Sequence, residues 1–197
     1  MYNINDTKKS VYTSKKIDVE HSIEPEFYSI DTFPAVRTLS ANWMTIYKEC
    51  QSLLNSEYYP WPEKNIYNHN WSVYGLYFQE KQLIENCLFC PETTILVEKV
   101  PGMVSAGYSR MGAGCHIRPH TGYTRDVLRL HLGLHVPHNC GLRVGSETRH
   151  WKEGHCLVFD DTLEHEAWNH SDVDRIVLLI DIKRDIYLGS IEADAAE

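Results

Sequence analysis

Apolar residues spaced three and four apart in the first third of the chain, short strand-like runs punctuated by Gly, Pro, Asn and Asp in the remainder, and histidines at the ends of those runs together predict a mainly β fold. The pattern suits a double-sheet jelly-roll or cupin-like barrel with N-terminal helices packed on the outside. The 197 residues suit one domain, large enough to bury about 70% of its unfolded surface without disulfide or metal staples. The expected division is a polar, mobile arm over 1–25, a single domain over 26–185 and a C-terminal tail over 186–197.

Along the chain, Val36, Leu39, Trp43, Ile46, Tyr47, Cys50, Leu53 and Leu54 recur with the period of one amphipathic helix covering a core face. Residues 58–77 are crowded with Tyr, Trp and Asn and lead into a strand of alternating pattern over 71–78; Trp61, Trp71 and the tyrosines either line a substrate mouth or fill the core. A short helix over 92–100 stops at Pro101-Gly102. Strands follow over 104–111, 115–119, 127–136, 142–144, 155–160 and 175–181. Alternation is strictest in 127–136, where Leu128, Leu130, Leu132, Leu134 and Val136 share one face and Arg129, His131, Gly133 and His135 the other. Turned into a small barrel, the second face makes a cationic pocket suited to an anion.

Composition removes several function classes. The 19 Lys+Arg against 27 Asp+Glu give a net charge of -8, and no basic run or stripe interrupts this, so a nucleic-acid partner has no electrostatic basis. No apolar run approaches the ~18–20 residues of a membrane span, and residues 1–20 lack the apolar centre of a secretion signal. A soluble, cytoplasmic protein with no membrane partner is the expectation; oligomeric state is not legible. The six cysteines are expected as reduced thiols. Cys87 and Cys90 form a lone CxxC without the second pair a four-ligand zinc site needs, and read as two half-buried thiols beside Pro91.

The chemistry concentrates on two histidines. His120 stands in a turn before the 127–136 strand and His165 follows the 155–160 strand, so a barrel can bring them together. Imidazole suits iron, copper, nickel and zinc alike. A common non-haem iron site adds one carboxylate to two histidines, yet the carboxylate position of a His-x-Asp motif here is Gly122. Either the metal has two protein ligands or His120 is not one.

Tyr108-Ser109, His116, Pro119-His120-Thr121-Gly122, the run from Leu128 to Leu134 with Pro137, Trp151 with Gly154, Phe159-Asp160-Asp161, His165-Glu166 with Trp168, and Arg175 resemble the aspartyl/asparaginyl beta-hydroxylase family over about residues 33–182. The resemblance implies a double-stranded β-helix and a 2-oxoglutarate-dependent oxygenase whose iron is held by two histidines and no carboxylate. It implies that His120 and His165 bind Fe(II), that Ser109 and Arg175 hold the distal carboxylate of 2-oxoglutarate, that His131 contacts its metal-proximal carboxylate, and that Arg129 lies close to the substrate acid as a further candidate catalytic residue. O2 is the remaining co-substrate. The implied reaction is hydroxylation of an unactivated carbon, the β-carbon of an aspartyl or asparaginyl unit in a small molecule, peptide or carrier-bound amino acid.

Other readings stay open at this level. Arg175 could pair with Asp172 or Asp174, and Arg129 with Asp126, as surface ion pairs worth ~0–1 kcal/mol. Asp160 and Asp161 either orient the histidines or serve as turn and cap residues. Arg125, Arg143 and the aromatics near Trp61 join Arg129 as candidates for recognising substrate. Chloride in the vacant carboxylate position would give a halogenase; a non-catalytic cupin-like binding module and a zinc or manganese enzyme are the remaining alternatives.

Overall fold

The alternation in β7 (Val127–His135) sorts the molecule into an outer and an inner half. In the computed structural model, which describes residues 25–30 and 33–194, the other strands are β1 (Phe27–Tyr28), β2 (Tyr59–Pro60), β3 (Trp71–Phe78), β4 (Lys81–Gln82), β5 (Met103–Met111), β6 (His116–His120), β8 (Cys140–Val144), β9 (Glu147–Arg149), β10 (Cys156–Phe159), β11 (His165–Asn169) and β12 (Arg175–Lys183). The helices are α1 (Pro34–Ala41), α2 (Trp43–Ser52), α3 (Ile84–Phe89), α4 (Pro91–Glu98) and α5 (Arg184–Asp194). A large sheet runs β1-β10-β7-β12-β5-β3-β2 with β4 paired to β3, and a small sheet runs β6-β11-β8-β9. The fold is the mainly β, jelly-roll type that the sequence predicts, a double-stranded β-helix with helices outside.

Leu128, Leu130, Leu132 and Leu134 are fully buried and pack with Leu178, Ile180 and Ile182 of β12 against Leu39, Ile46, Val97 and Tyr187 of the helices. Burying each such side chain contributes roughly 1.5–3 kcal/mol, enough to fix which face of β7 points outward. The other face looks toward the small sheet, where Met111, Phe159 and Val177 meet Ile117, Leu142, Val144 and Ala167 in a second core. The site lies between the sheets, beside that second core.

Several elements differ from the sequence expectation. The single helix through residues 36–54 is two, broken at Asn42, whose N–H and Nδ2 both donate to Thr38 O at the end of α1 while its carbonyl accepts from Thr45 and Ile46 N–H in α2. Apolar periodicity continues across this joint and so cannot reveal it. The helix α3 escapes the pattern because Ile84, Leu88 and Phe89 are exposed and Cys87 is its buried residue. All six cysteines are free and buried, so Cys87 and Cys90 are more enclosed than the half-buried reading had them. The strands β1, β2, β4, β9 and β11 are additions; His120 closes β6 rather than standing in a turn, and His165 opens β11.

The expected boundary at 185 falls inside α5, where Tyr187 is fully buried against Phe33 and Tyr28. Residues 1–24 of the expected arm lie outside the described residues, and β1 begins at once after them by pairing with β10. No helix among the described residues is long and apolar enough to cross a membrane.

Candidate active site

His120 and His165 are register partners across β6 and β11, with ring centroids 4.1 Å apart. A bulge creates the pairing. Ile117 opposes Ala167 and His120 opposes His165, so β6 spends three residues where β11 spends two. On a regular strand an odd spacing sends side chains to opposite faces; the extra residue turns both Ile117 and His120 into the same narrow inner cavity. Pro119, lacking an N–H, is suited to the irregular position.

Main-chain carbonyls set both rings. His120 Nδ1 lies 2.8 Å from Arg118 O and His165 Nδ1 2.9 Å from Leu163 O. A carbonyl only accepts, so each Nδ1 carries the proton and each Nε2 keeps its lone pair for a metal. Burial, helped by the neighbouring His120, pushes the His165 pKa down to about 3 and holds that ring neutral. Of the two readings open for Asp160 and Asp161, Asp160 takes the turn role: its Oδ1 accepts from the N–H and hydroxyl of Thr162 and its Oδ2 pairs with Arg184 at 2.7 Å, while the Asp161 carboxylate pairs with Arg129 at 3.2 Å. Among the described residues no group of three or more His, Cys, Asp or Glu is arranged to hold a metal ion. The arrangement brings two imidazole donors together. At Gly122 a Cβ would stand 2.7 Å from the Asp161 carboxylate, so that carboxylate occupies the space a side chain at 122 would need.

Deeper in the cavity, three donors converge without acceptors. Arg175 is 1% exposed, its guanidinium lies 4.4 Å over the Trp151 ring, and its Nε and Nη1 have no hydrogen-bond partner. It reaches neither Asp172 nor Asp174 as an ion-pair partner; Asp174 faces Arg110 at 3.9 Å. Burial lowers its pKa to about 10. Ser109 Oγ accepts from Trp71 Nε1 at 3.0 Å, which leaves its own hydrogen to donate. Trp151 Nε1 donates to His131 Nδ1 at 3.3 Å, so the His131 proton sits on Nε2, a buried atom with no partner. Burial first, then the positive charges of Arg175 and Arg129, hold the His131 pKa well below its ordinary value, so this ring is a neutral donor. A buried cation and two neutral donors facing one cavity are complementary to a carboxylate.

Arg129 is engaged differently. It binds Asp181 through Nε at 2.8 Å and Nη2 at 3.3 Å, and Asp161 through Nη1 at 3.2 Å. Burial opposes its charge, and the two carboxylates more than offset this, raising its pKa. Asp126 is not the partner; its carboxylate accepts from Thr124. Arg143 points out of the barrel, bonded to Glu166 and Glu164, and Arg125 lines neither cavity. Outside the histidine pair the cavity opens into a cleft of about 840 Å³ that Trp61 and Trp71, stacked 4.2 Å apart, help to line. Sequence reasoning gave no individual role to Trp151, Phe159 or Asp181. Trp151 and Phe159 stood in the quoted runs; Asp181 carried only its place on the Arg175 side of its strand.

The profile of the aspartyl/asparaginyl beta-hydroxylases matches residues 40–185. Over 168 residues the chain is 36% identical to the ornithine lipid ester-linked acyl 2-hydroxylase of Rhizobium tropici, covering 80% of this chain and 60% of that one. Over 156 residues it is 34% identical to human aspartyl/asparaginyl beta-hydroxylase, covering 75% of this chain and 21% of that one. Human aspartate beta-hydroxylase domain-containing protein 2 is 30% identical over 161 residues, or 75% and 44% of the two chains. The chain thus spans less than two thirds of the length of each of these relatives. The match takes in both histidines, the buried Arg175 and the strands that carry them, and by it the chain belongs to the aspartyl/asparaginyl beta-hydroxylase family.

Proposed function

We propose that the protein is an Fe(II)- and 2-oxoglutarate-dependent dioxygenase that hydroxylates an unactivated carbon. The observation that carries this reading is Arg175, a buried guanidinium with unpartnered Nε and Nη1, in the cavity that also holds the paired Nε2 donors of His120 and His165. An isolated buried charge is costly unless something pairs with it. A dicarboxylate co-substrate supplies the counter-charge.

In this reading His120 and His165 hold iron through Nε2. Arg175 and the Ser109 hydroxyl take the distal carboxylate, and His131 Nε2–H donates to the carboxylate nearer the metal. The chemistry such a centre supplies is oxidation of 2-oxoglutarate to succinate and carbon dioxide, coupled to hydroxylation of a C–H bond. The chain's own part is to orient these groups and exclude water: Trp71, Phe159 and Leu142 wall the inner cavity, and Trp71 and Trp151 fix Ser109 and His131 by single hydrogen bonds. The names of the relatives agree on hydroxylation and differ on what is hydroxylated.

The test is anaerobic addition of Fe(II) and 2-oxoglutarate, reading the visible metal-to-keto-acid charge-transfer band, then succinate after admitting oxygen. His165→Ala should abolish both, because one imidazole alone does not anchor the metal. A folded, iron-loaded protein giving no band and no succinate would overturn the proposal.

A further inference from the structure

Resting on that reading, we infer that the cleft outside the histidine pair binds an apolar acyl chain whose head group carries no net negative charge, and that this chain presents the carbon to be hydroxylated. The cleft starts at His120, His165 and Asp161 and continues along the inner face of β12, β5 and β3 as far as Lys183 and Gln79. About 840 Å³ is the size of a small-molecule site rather than a surface dimple.

Its floor is smooth for a specific reason. Gly75 and Gly107 are register partners on β3 and β5. A Cβ at Gly107 would stand 2.6 Å from Tyr74 O, and one at Gly75 would stand 3.0 Å from Leu83 Cδ1. Val73, Tyr77, Leu83, Val104 and Leu179 flank this strip, and the Trp61–Trp71 stack closes its inner end. A flexible methylene chain gains by lying along such a surface, at roughly 0.8 kcal/mol per buried CH₂; a short acidic side chain gains little.

Charge points the same way. The cations lining the cleft are Arg129 and Lys183, and both are already paired, Arg129 with Asp181 and Asp161 and Lys183 with Glu80 at 2.6 Å. Glu63, Glu80, Asp126, Asp161 and Asp181 also line it, so carboxylates outnumber cations. A free aspartyl carboxylate entering here would displace Asp181 from a two-pronged ion pair and meet further negative charge. An uncharged or cationic head group meets neither obstacle.

Iron-free protein titrated with a bromine-labelled dodecanoyl amide should show saturable quenching of tryptophan emission through Trp61 and Trp71. Unlabelled dodecanoyl amide should compete and N-acetyl-aspartyl amide should not. In the iron-loaded enzyme, succinate formation should rise along a series of amides from butanoyl to dodecanoyl. Val73→Trp and Ser105→Trp, which fill the cleft from its floor, should move the optimum to shorter chains, with about a tenfold loss of kcat/KM on the longest. The charge-transfer band serves as the control for folding and co-substrate binding in each variant. Offering the same acyl amide as monomer and within phosphatidylcholine vesicles identifies the source of the chain, and response in either arm supports the inference. Aspartyl compounds stimulating as well as acyl amides, or turnover indifferent to chain length, would overturn it. Quenching without a charge-transfer band would defeat the hydroxylase reading while leaving the cleft assignment standing; a band without quenching would do the reverse.

Discussion

Arg175, fully buried, and Arg129, mostly so, carry their guanidinium groups on the inner face of neighbouring strands, and the molecule treats them in opposite ways. Arg129 has all three nitrogens committed to Asp181 and Asp161, whereas Nε and Nη1 of Arg175 have no hydrogen-bond partner. Protein carboxylates complete the first arginine, so it is part of the wall. The second is an electrostatic arrangement that the protein's own acids leave unfinished. Two arginines that look alike in sequence therefore divide into one completed by protein carboxylates and one left open, according to which acids the fold places beside them.

Stability measurements should separate them most widely. Arg129→Met strands two carboxylates and is expected to cost about 3–5 kcal/mol in urea unfolding. Arg175→Met removes a charge that burial already penalises, and the iron-free protein should be unchanged or more stable by about 1–3 kcal/mol. The sign follows from the lowered pKa of about 10: charging Arg175 costs the folded state, a cost fully present at neutral pH and relieved only as pH rises through that value. Equal losses for both variants would break the distinction.

Ligand linkage sharpens it. At 2-oxoglutarate a hundredfold above its Kd, wild-type protein should gain about 2.7 kcal/mol; Arg175→Met should gain almost nothing, as read from the thermal midpoint with and without the co-substrate. Asp181→Asn then tests the other cation. A double-mutant cycle with Arg129→Met should return a coupling of about 0.5–3 kcal/mol, and a value near zero would mean that Arg129 is free to recognise substrate.

The smallest effect belongs to Glu166, on the exterior of the small sheet. Its hydrogen bond from Arg143 lowers its pKa against the opposing effect of burial, with His116 helping. The stabilisation is therefore complete above the ordinary carboxylate value of 4.5 and is lost as pH falls through the lowered folded value. Glu166→Gln should remove this part of the acid dependence, roughly 0–1 kcal/mol in the urea midpoint.

What could be read from the chain depended on how local the cause was. The leucines of β7 announced their face because alternation is a property of consecutive residues, and the long strands followed from the same rule. The histidine pair was legible through the family motifs that carry His120 and His165. The partners of Arg129 were not legible, since Asp181 lies 52 positions away and becomes a neighbour only when β12 pairs with β7. The nearby Asp126, a reasonable choice by sequence distance, turns instead to Thr124. Asn42 hid because apolar periodicity ran through it, and β11 hid because five residues of mixed polarity carry little strand signal.

The bulge in β6 makes the meeting of the two histidines a matter of counting. Because Ile117 and His120 stand three residues apart and share the cavity only through one surplus residue, ironing out the bulge without shortening β6 would swing the imidazole to the other face, whereas deleting Pro119 would leave the two residues two apart and both facing inward on a regular ladder. Changes of length in the loop over 121–126 leave that count untouched. The meeting of the two imidazoles is thus written in the spacing of the backbone as much as in the identity of the residues, and a one-residue slip of β6 can undo it without altering either histidine.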